Sequence, residues 1–168
     1  MSQIRIKQMT IIALAMSIIF LMTVVIVIPI STKGYVNLGD IGVLFFASFF
    51  SPLTAGFVGG MGSALADVVA GYSHYAVFTL LIKGLEGLVV SYLFHHMSKK
   101  YNMLSFVVGI VIMVSGYYVV DFVIEGNVIA VLPSLFANAI QGIICLISAF
   151  VLRTVLFREL YKYRELFK

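Results

Sequence analysis

The sequence predicts an all-α polytopic membrane protein, a bundle of six transmembrane helices with both termini in the cytoplasm. Of its 168 residues, 62% are hydrophobic and only 11% are charged, whereas a soluble domain carries about 25% charged residues. Long apolar runs recur along the whole chain without alternating with polar residues, which favours helices over a transmembrane barrel. Lys and Arg cluster at alternate boundaries of these runs, as they do when a chain crosses a membrane repeatedly.

Six hydrophobic segments are bounded by polar or turn-forming residues. Their predicted ranges are 9–28, 40–50, 53–71, 76–96, 103–122 and 132–157. The second has about 11 residues, which cross only half of a ~30 Å hydrocarbon core, so neighbouring helices must shield it. Pro29 is predicted to close the first helix, and Pro52 and Pro133 to begin the third and the sixth. Without repeats or linkers, residues 1–168 are expected to form one domain.

The basic residues predict the orientation of these segments. With a cytoplasmic N-terminus, one basic residue, Lys33, falls outside and Lys83 falls within a span. The inner side holds Arg5, Lys7, Lys99, Lys100, Arg153, Arg158, Lys162, Arg164 and Lys168. This is a strong positive-inside bias. The net charge of +4 is therefore explained by membrane orientation, and nucleic-acid binding is not expected.

Polar side chains within the predicted spans gather towards their outer ends. They are Asp67, Lys83, Glu86, Asp121, Asn138 and Gln141, with Tyr72, His74, Tyr75, Tyr117 and Tyr118 nearby. A charge at the bilayer centre costs about 2.5–3.5 kcal/mol on insertion scales, so each needs a partner, a cavity or a function. The inner halves are almost purely apolar. This pattern favours a cup open to the outside over an ion path, which needs polar groups at both depths.

Several of these residues recur at helical spacing and share a face. The pairs are Lys83–Glu86, Asn138–Gln141, Ser134–Asn138 and Tyr117–Asp121. Such stripes suit helices that line one polar pocket. The alternative is that these residues are structural. Lys83 and Glu86 would then neutralise each other, and Asn138 and Gln141 would form hydrogen bonds between helices. Asp67 and Asp121 would cap loops or pair with Lys83. Spacing alone leaves both interpretations open.

The predicted outer loops contribute aromatic and amide side chains. The segment ISTKGYVNLGD contains Tyr35 and Asn37, and AGYSHYAVF contains Tyr72, His74 and Tyr75. These residues suit stacking on a flat ring and hydrogen bonding to its edge, although an aromatic belt at the membrane interface would have the same composition.

The glycine-rich stretch GFVGGMGSALADVVAG predicts close helix packing. Its small residues recur every fourth position, as in membrane helices that approach closely, and it lacks the ending of a phosphate-binding loop. The sequence also lacks a Walker motif, a nucleophile elbow, an HExxH zinc motif and a cysteine cluster, Cys145 being the single cysteine. No enzyme activity, cofactor or metal is therefore expected. Uphill transport would need a partner or an ion gradient.

The chain resembles the S components of energy-coupling-factor (ECF) vitamin transporters over essentially its whole length. The stretches YVNLGD (35–40) and ALADVVAGYSHYAVFTLLIKGLEGL (64–88) resemble the hydroxymethylpyrimidine/pyridoxine-type branch. The resemblance implies a plasma-membrane subunit that binds one vitamin or precursor near its outer face. It further implies that this subunit topples on a transmembrane T component, driven by two cytoplasmic ATPases. A stand-alone secondary transporter or channel is the alternative.

The resemblance and the polar pattern together predict two sets of functional residues. The predicted substrate-binding residues are Glu86, Asn138, Gln141, Lys83, Tyr117, Tyr72, Asn37, Tyr75, Asp121 and Asp67, with the tyrosines at 117 or 72 stacking on the ligand ring. The family carries an Ala-x3-Ala motif in its first helix, which docks on the T component. Here Ala13 and Ser17 match it, with Ala15 between them. Packing within the bundle is the alternative for this stripe.

Overall fold

The computed structural model describes residues 3–30 and 34–161, the side chains at 4, 99, 158, 160 and 161 excepted. The predicted basic positions Lys33, Lys162, Arg164 and Lys168 lie outside the described residues. The elements in chain order are α1 (Gln3–Val24), β1 (Ile28–Pro29), β2 (Tyr35–Val36), α2 (Gly39–Ala47), α3 (Pro52–Val69), α4 (Ser73–His96), a 3-10 turn (Lys99–Tyr101), α5 (Asn102–Glu125) and α6 (Val128–Tyr161). Within the described ranges, all helices except α2 are long and apolar enough to cross a membrane. The prediction of an all-α polytopic membrane fold is confirmed.

The short helix α2 lies at the centre of the bundle. It has 9 residues, and all of them except Phe46 are buried. Helices α1, α3, α4 and α6 contact it, while α1, α3, α4, α5 and α6 follow one another around it. The prediction that its neighbours shield it is confirmed. A half-length helix is stable in a membrane only when protein covers its unpaired ends.

Helix α3 uses its small residues to approach two neighbours at once. A Cβ atom on Gly60 would lie 2.7 Å from the Leu80 carbonyl oxygen of α4, and one on Gly62 would lie 2.9 Å from the Met16 carbonyl oxygen of α1. Both distances are too short for any side chain, so the backbones touch only because these positions are glycine. The prediction that the glycines serve close packing is confirmed.

The structure corrects several predicted helix ends. Helix α1 ends at Val24, and Pro29 lies in β1, which pairs antiparallel with β2, so the prediction that Pro29 closes the helix is wrong. Pro133 lies inside α6 and not at its start; without an N–H it cannot bond the carbonyl of Ile129, which is tolerated close to a helix end. Gly126, with φ +66°, ends α5 in the left-handed conformation that glycine adopts freely.

The two ends of the bundle differ in composition. One end holds β1, β2 and the α3–α4 and α5–α6 turns, and we call it the pocket end. The other end holds Arg5, Lys7, Lys100 and Arg153, and we call it the basic end. There His95 hydrogen-bonds the carbonyl oxygen of Phe50 at 3.1 Å. The described basic residues outside the spans thus gather at one end.

Candidate binding pocket

A polar pocket opens at the pocket end, between the β1–β2 segment and helices α3 to α6. Six of the predicted binding residues line it, namely Asn37, Asp67, Tyr75, Tyr117, Asp121 and Asn138. Its other lining residues are Ile30, Gly34, Tyr35, Thr79 and Ser134. The empty space in the pocket and its open mouth together is about 310 Å³.

On one wall, Asp67 of α3 holds Tyr35 of β2. The Tyr35 hydroxyl donates a hydrogen bond to Asp67 Oδ1 at 2.5 Å. Burial, together with the neighbouring carboxylate, raises the pKa of Tyr35 far above its ordinary value, so the hydroxyl stays protonated and keeps donating. Asp67 Oδ2 is buried and has no hydrogen-bond partner among the described residues. Tyr72 does not line the pocket; its ring packs on that of Tyr35 with centroids 4.4 Å apart.

A second lining carboxylate, Asp121 of α5, joins three helices. The Tyr75 hydroxyl donates to Asp121 Oδ1 at 2.6 Å, and the Ser134 hydroxyl donates to Oδ2. Asn138 Nδ2 in turn donates to Ser134 Oγ at 3.2 Å. Both carboxylate oxygens of Asp121 therefore accept hydrogen bonds, and the residue links α4, α5 and α6 in the lining of the pocket.

Tyr117 separates the pocket from a lysine beneath it. Its hydroxyl hydrogen-bonds Thr79 Oγ1 at 3.0 Å, and Lys83 Nζ lies 5.5 Å from the centre of its ring. Tyr117 thus lines the pocket while its ring is in contact with a cation. This position suits the stacking role predicted for Tyr117.

Below the pocket lies a buried network of charged and amide groups. Lys83 donates to Asp40 Oδ1 and to Glu86 Oε2 at 3.2 Å. Gln141 Nε2 donates to Asp40 Oδ2 at 2.5 Å, while Gln141 Oε1 accepts from the backbone N–H of Asn37 at 2.6 Å. The predicted Lys83–Glu86 pair is confirmed. The alternative in which Lys83 pairs with the aspartates at 67 or 121 is wrong, because its partners are Asp40 and Glu86.

Three predicted binding residues, Lys83, Glu86 and Gln141, belong to this network and do not line the pocket. Helix α4 begins at Ser73, which places Lys83 about ten residues, or about 15 Å, from its start. Towards the basic end, the buried polar side chains of the described chain are those of Ser48, Ser91 and Ser105.

Asp40, at the start of α2, is a site residue that the sequence pattern did not predict, although it is fully buried and contacts both Lys83 and Gln141. A carboxylate in the first turn of an otherwise apolar helix is the signal that could have identified it. Thr79 was not predicted either, because a single threonine in an apolar helix is ordinary without knowledge of its neighbours.

The predicted docking residues of α1 divide between two faces. Ala13 and Ser17 are exposed, with the Ser17 hydroxyl donating to the Ala13 carbonyl at 2.9 Å. Ala15 is 1% exposed and packs in the core. The prediction that Ala15 belongs to the docking surface is therefore wrong. Ala15 follows Ala13 by two residues, and over two residues the helix turns by about 200°, which places the two side chains on different faces.

Comparisons with known proteins agree with this architecture. The family described as "ECF-type riboflavin transporter, S component" matches residues 3–158. The chain is 28% identical over 155 residues to the "Thiamine precursor transporter HmpT" of Lactococcus lactis subsp. cremoris (strain MG1363), covering 91% of this chain and 89% of that protein. It is 42% identical over 127 residues to an "Uncharacterized protein in gap 3'region" of Pyrococcus woesei, covering 73% of this chain and 84% of that one.

The family match extends from α1 into the last turns of α6 and so includes the pocket, the buried network and α2. The family is one of transport subunits and not of enzymes. The chain therefore belongs to the S-component family of ECF transporters.

Proposed function

We propose that this chain is the substrate-binding subunit of an ECF importer and that it captures hydroxymethylpyrimidine, a thiamine precursor, from outside the cell. The carrying observation is the position of the pocket. It opens at one end of the bundle and is closed below by Tyr117 and the Asp40–Lys83–Glu86 network. A subunit that captures a solute on one side and relies on partners to release it needs such a closed cup.

The size of the pocket supports a single-ring ligand. The matched family is described by riboflavin and the relative by a thiamine precursor. About 310 Å³ is an upper bound on the enclosed space, because it includes the open mouth. So small a space favours one substituted ring over the three fused rings and sugar-alcohol chain of riboflavin. Pyridoxine, another single-ring alcohol, is an alternative of similar size. Similarity to the thiamine precursor transporter over most of both chains favours the pyrimidine.

The pocket residues are assigned separate roles. Tyr117 stacks on the ligand ring, and Asn138 and Asn37 offer amide groups to its edge. Lys83, Glu86 and Gln141 act from behind, by holding the start of α2 and the backbone of Asn37 in place. This division follows from which side chains line the pocket.

The basic end is assigned to the cytoplasm and the pocket end to the exterior of the plasma membrane. The positive-inside rule supports this orientation, with six spans if α2 and its flanking turns are counted as one. Because the sequence contains no ATP-binding motif, the energy is assigned to a T component and two cytoplasmic ATPases. Ala13 and Ser17 form the proposed contact with the T component.

Calorimetry on the purified chain in detergent tests the ligand assignment, with hydroxymethylpyrimidine, pyridoxine and riboflavin as separate titrants. We expect the pyrimidine to bind at least tenfold more tightly than the other two. Stronger binding of pyridoxine or riboflavin would replace the assigned substrate, and no binding of any of them would refute it.

Uptake into liposomes tests the partner assignment. We expect accumulation of the pyrimidine only when the T component and both ATPases are reconstituted with the chain and ATP is supplied. Liposomes with an empty T component–ATPase complex are the control. Accumulation by this chain alone would support the stand-alone transporter instead.

A further inference from the structure

We propose that Asp67 determines ligand specificity by accepting a hydrogen bond from an amino group on the ligand ring. The inference rests on the proposed function, that the pocket binds a small nitrogen heterocycle, and extends it by naming the residue and the ligand group that decide which heterocycle is bound.

The two oxygens of Asp67 are in different situations. The carboxylate lines the pocket, and the residue is only 3% exposed. Its Oδ1 accepts from Tyr35, whereas Oδ2 is buried without a hydrogen-bond partner among the described residues. An ionised carboxylate can only accept hydrogen bonds, and a buried acceptor left unused is costly. A donor on a bound ligand would satisfy it.

The neighbouring groups have hydrogen-bond partners of their own. The hydroxyls of Thr79 and Tyr117 lie 3.0 Å apart and share a hydrogen bond. Asp121, the other carboxylate of the pocket, uses both oxygens for Tyr75 and Ser134. Of the two lining carboxylates, it is therefore Asp67 that has a buried acceptor oxygen without a hydrogen-bond partner among the described residues.

The charges around the pocket point to the same class of ligand. Its described lining residues include two aspartates and no Lys or Arg. The cation beneath it, Lys83, is held by Asp40 and Glu86. Such a site attracts a donor-bearing or cationic ring and repels an anion. The chemical class is an amino-substituted nitrogen heterocycle in its free form, and its phosphate ester is excluded.

A pair of matched ligands tests the inference on the unmodified chain. In one, the pyrimidine carries the ring amino group; in the other, a carbonyl oxygen replaces it, so that a donor becomes an acceptor facing Asp67. The amino compound can make a hydrogen bond to the carboxylate that the carbonyl compound cannot make. Calorimetry should therefore show a preference for the amino compound of roughly 10- to 100-fold. Equal affinities would overturn the inference without any mutation.

The Asp67→Asn variant tests which residue causes that preference. The asparagine keeps an oxygen for Tyr35 but presents an NH₂ donor where Oδ2 was. We expect the preference for the amino compound to collapse or reverse, because the carbonyl analogue now finds a donor. If the role of Asp67 were purely structural, the substitution would lower the affinity for both compounds by the same factor and leave the ratio of the two affinities unchanged.

Asp121→Asn is the matched control, since both oxygens of that carboxylate already serve protein donors. It should lower the affinity for the two compounds by similar factors and preserve their ratio. If the unmodified chain binds neither compound, the proposed function fails and the inference with it. If it prefers the amino compound but Asp67→Asn retains that preference, only the inference is refuted.

Discussion

At the scale of single residues, Lys83 is almost inaccessible and faces two carboxylates, Asp40 and Glu86. Removing its charge would leave two buried acids without their counterion. Breaking a buried ion pair in this way costs about 3–5 kcal/mol. We therefore expect Lys83→Met to lower the free energy of unfolding by about that amount, measured as a reduced melting temperature in detergent.

The control for this variant is Lys100→Met, at an exposed lysine beside Tyr101, which should leave the melting temperature nearly unchanged. A double variant, Lys83→Met with Asp40→Asn, should recover part of the loss because fewer charges remain unpaired. Equal melting temperatures for Lys83→Met and the unmodified chain would show that the lysine does not stabilise the network.

Two amides on α6 should separate binding from stability. Asn138 lines the pocket, whereas Gln141 bridges Asp40 and the Asn37 backbone behind it. We expect Asn138→Ala to weaken ligand affinity about tenfold, the value of one lost hydrogen bond, with little change in melting temperature. Gln141→Ala should instead lower the free energy of unfolding by about 1–3 kcal/mol, because it strands buried partners.

Calorimetry and thermal unfolding of the same two preparations measure both effects. The reverse pattern, with Gln141→Ala reducing affinity in a fully stable protein, would mean that Gln141 and not Asn138 contacts the ligand.

The sequence is enough to predict which polar residues are buried within the bundle, but not which of them line the pocket and which belong to the network beneath it. The cost of burying polar groups in a membrane is enough to single out Asp67, Lys83 and Asn138 within apolar segments. Their partners could not be predicted, because the decisive contacts join distant positions. Asp40 and Lys83 lie 43 residues apart, and Asn37 and Gln141 lie 104 apart. Helical spacing shows which residues share a face of one helix, but it does not show which other helix that face contacts.

At the scale of elements, α3 and α4 form the most extensive helix pair in the bundle. Their glycines are not equivalent. A Cβ on Gly87 would lie 2.6 Å from the Ala55 carbonyl oxygen, whereas one on Gly84 would lie 3.6 Å from its nearest neighbour, the Gly56 carbonyl oxygen. A methyl group at position 87 would therefore force the two backbones apart, whereas one at position 84 would make an ordinary van der Waals contact.

We therefore expect Gly87→Ala to reduce the free energy of unfolding by about 1–3 kcal/mol through overpacking. Gly84→Ala, one turn away on the same helix, should be neutral or slightly stabilising because alanine favours the helix. Thermal unfolding of both variants in one detergent measures the difference. Equal stabilities would show that α3 can shift away from α4 at little cost.

The segment between α1 and α2 shows why element boundaries were harder to predict than the elements themselves. Residues 25–30 are apolar, so hydrophobicity alone extends the first helix to position 28. In the structure the chain leaves the helix at Val24, pairs Ile28 with Val36, and returns into the bundle to begin α2 beside Lys83. Tyr35 and Asn37 can reach Asp67 and Gln141 only from this hairpin.

At the scale of the whole molecule, Ala13 and Ser17 expose two small side chains one turn apart on α1. Small residues at this spacing let another helix approach closely. We expect Ala13→Trp to prevent co-purification with the T component, because the large ring blocks close approach, while ligand affinity stays unchanged. Ile143→Trp, at an exposed position on α6, is the control and should leave assembly intact. Loss of ligand binding in Ala13→Trp would place the stripe inside the folding unit.

The sequence by itself determined the class of protein, the approximate helices and the uneven distribution of polar groups, because burying charge in lipid is so costly that composition and spacing record it. Only the tertiary structure decided that α2 is the core of the bundle and that Asp40 anchors Lys83. It also decided that one buried oxygen of Asp67 has no hydrogen-bond partner among the described residues, while both oxygens of Asp121 accept hydrogen bonds. These outcomes depend on contacts between residues far apart in the chain. Such contacts arise from how helices pack, and local patterns in a sequence contain no information about them.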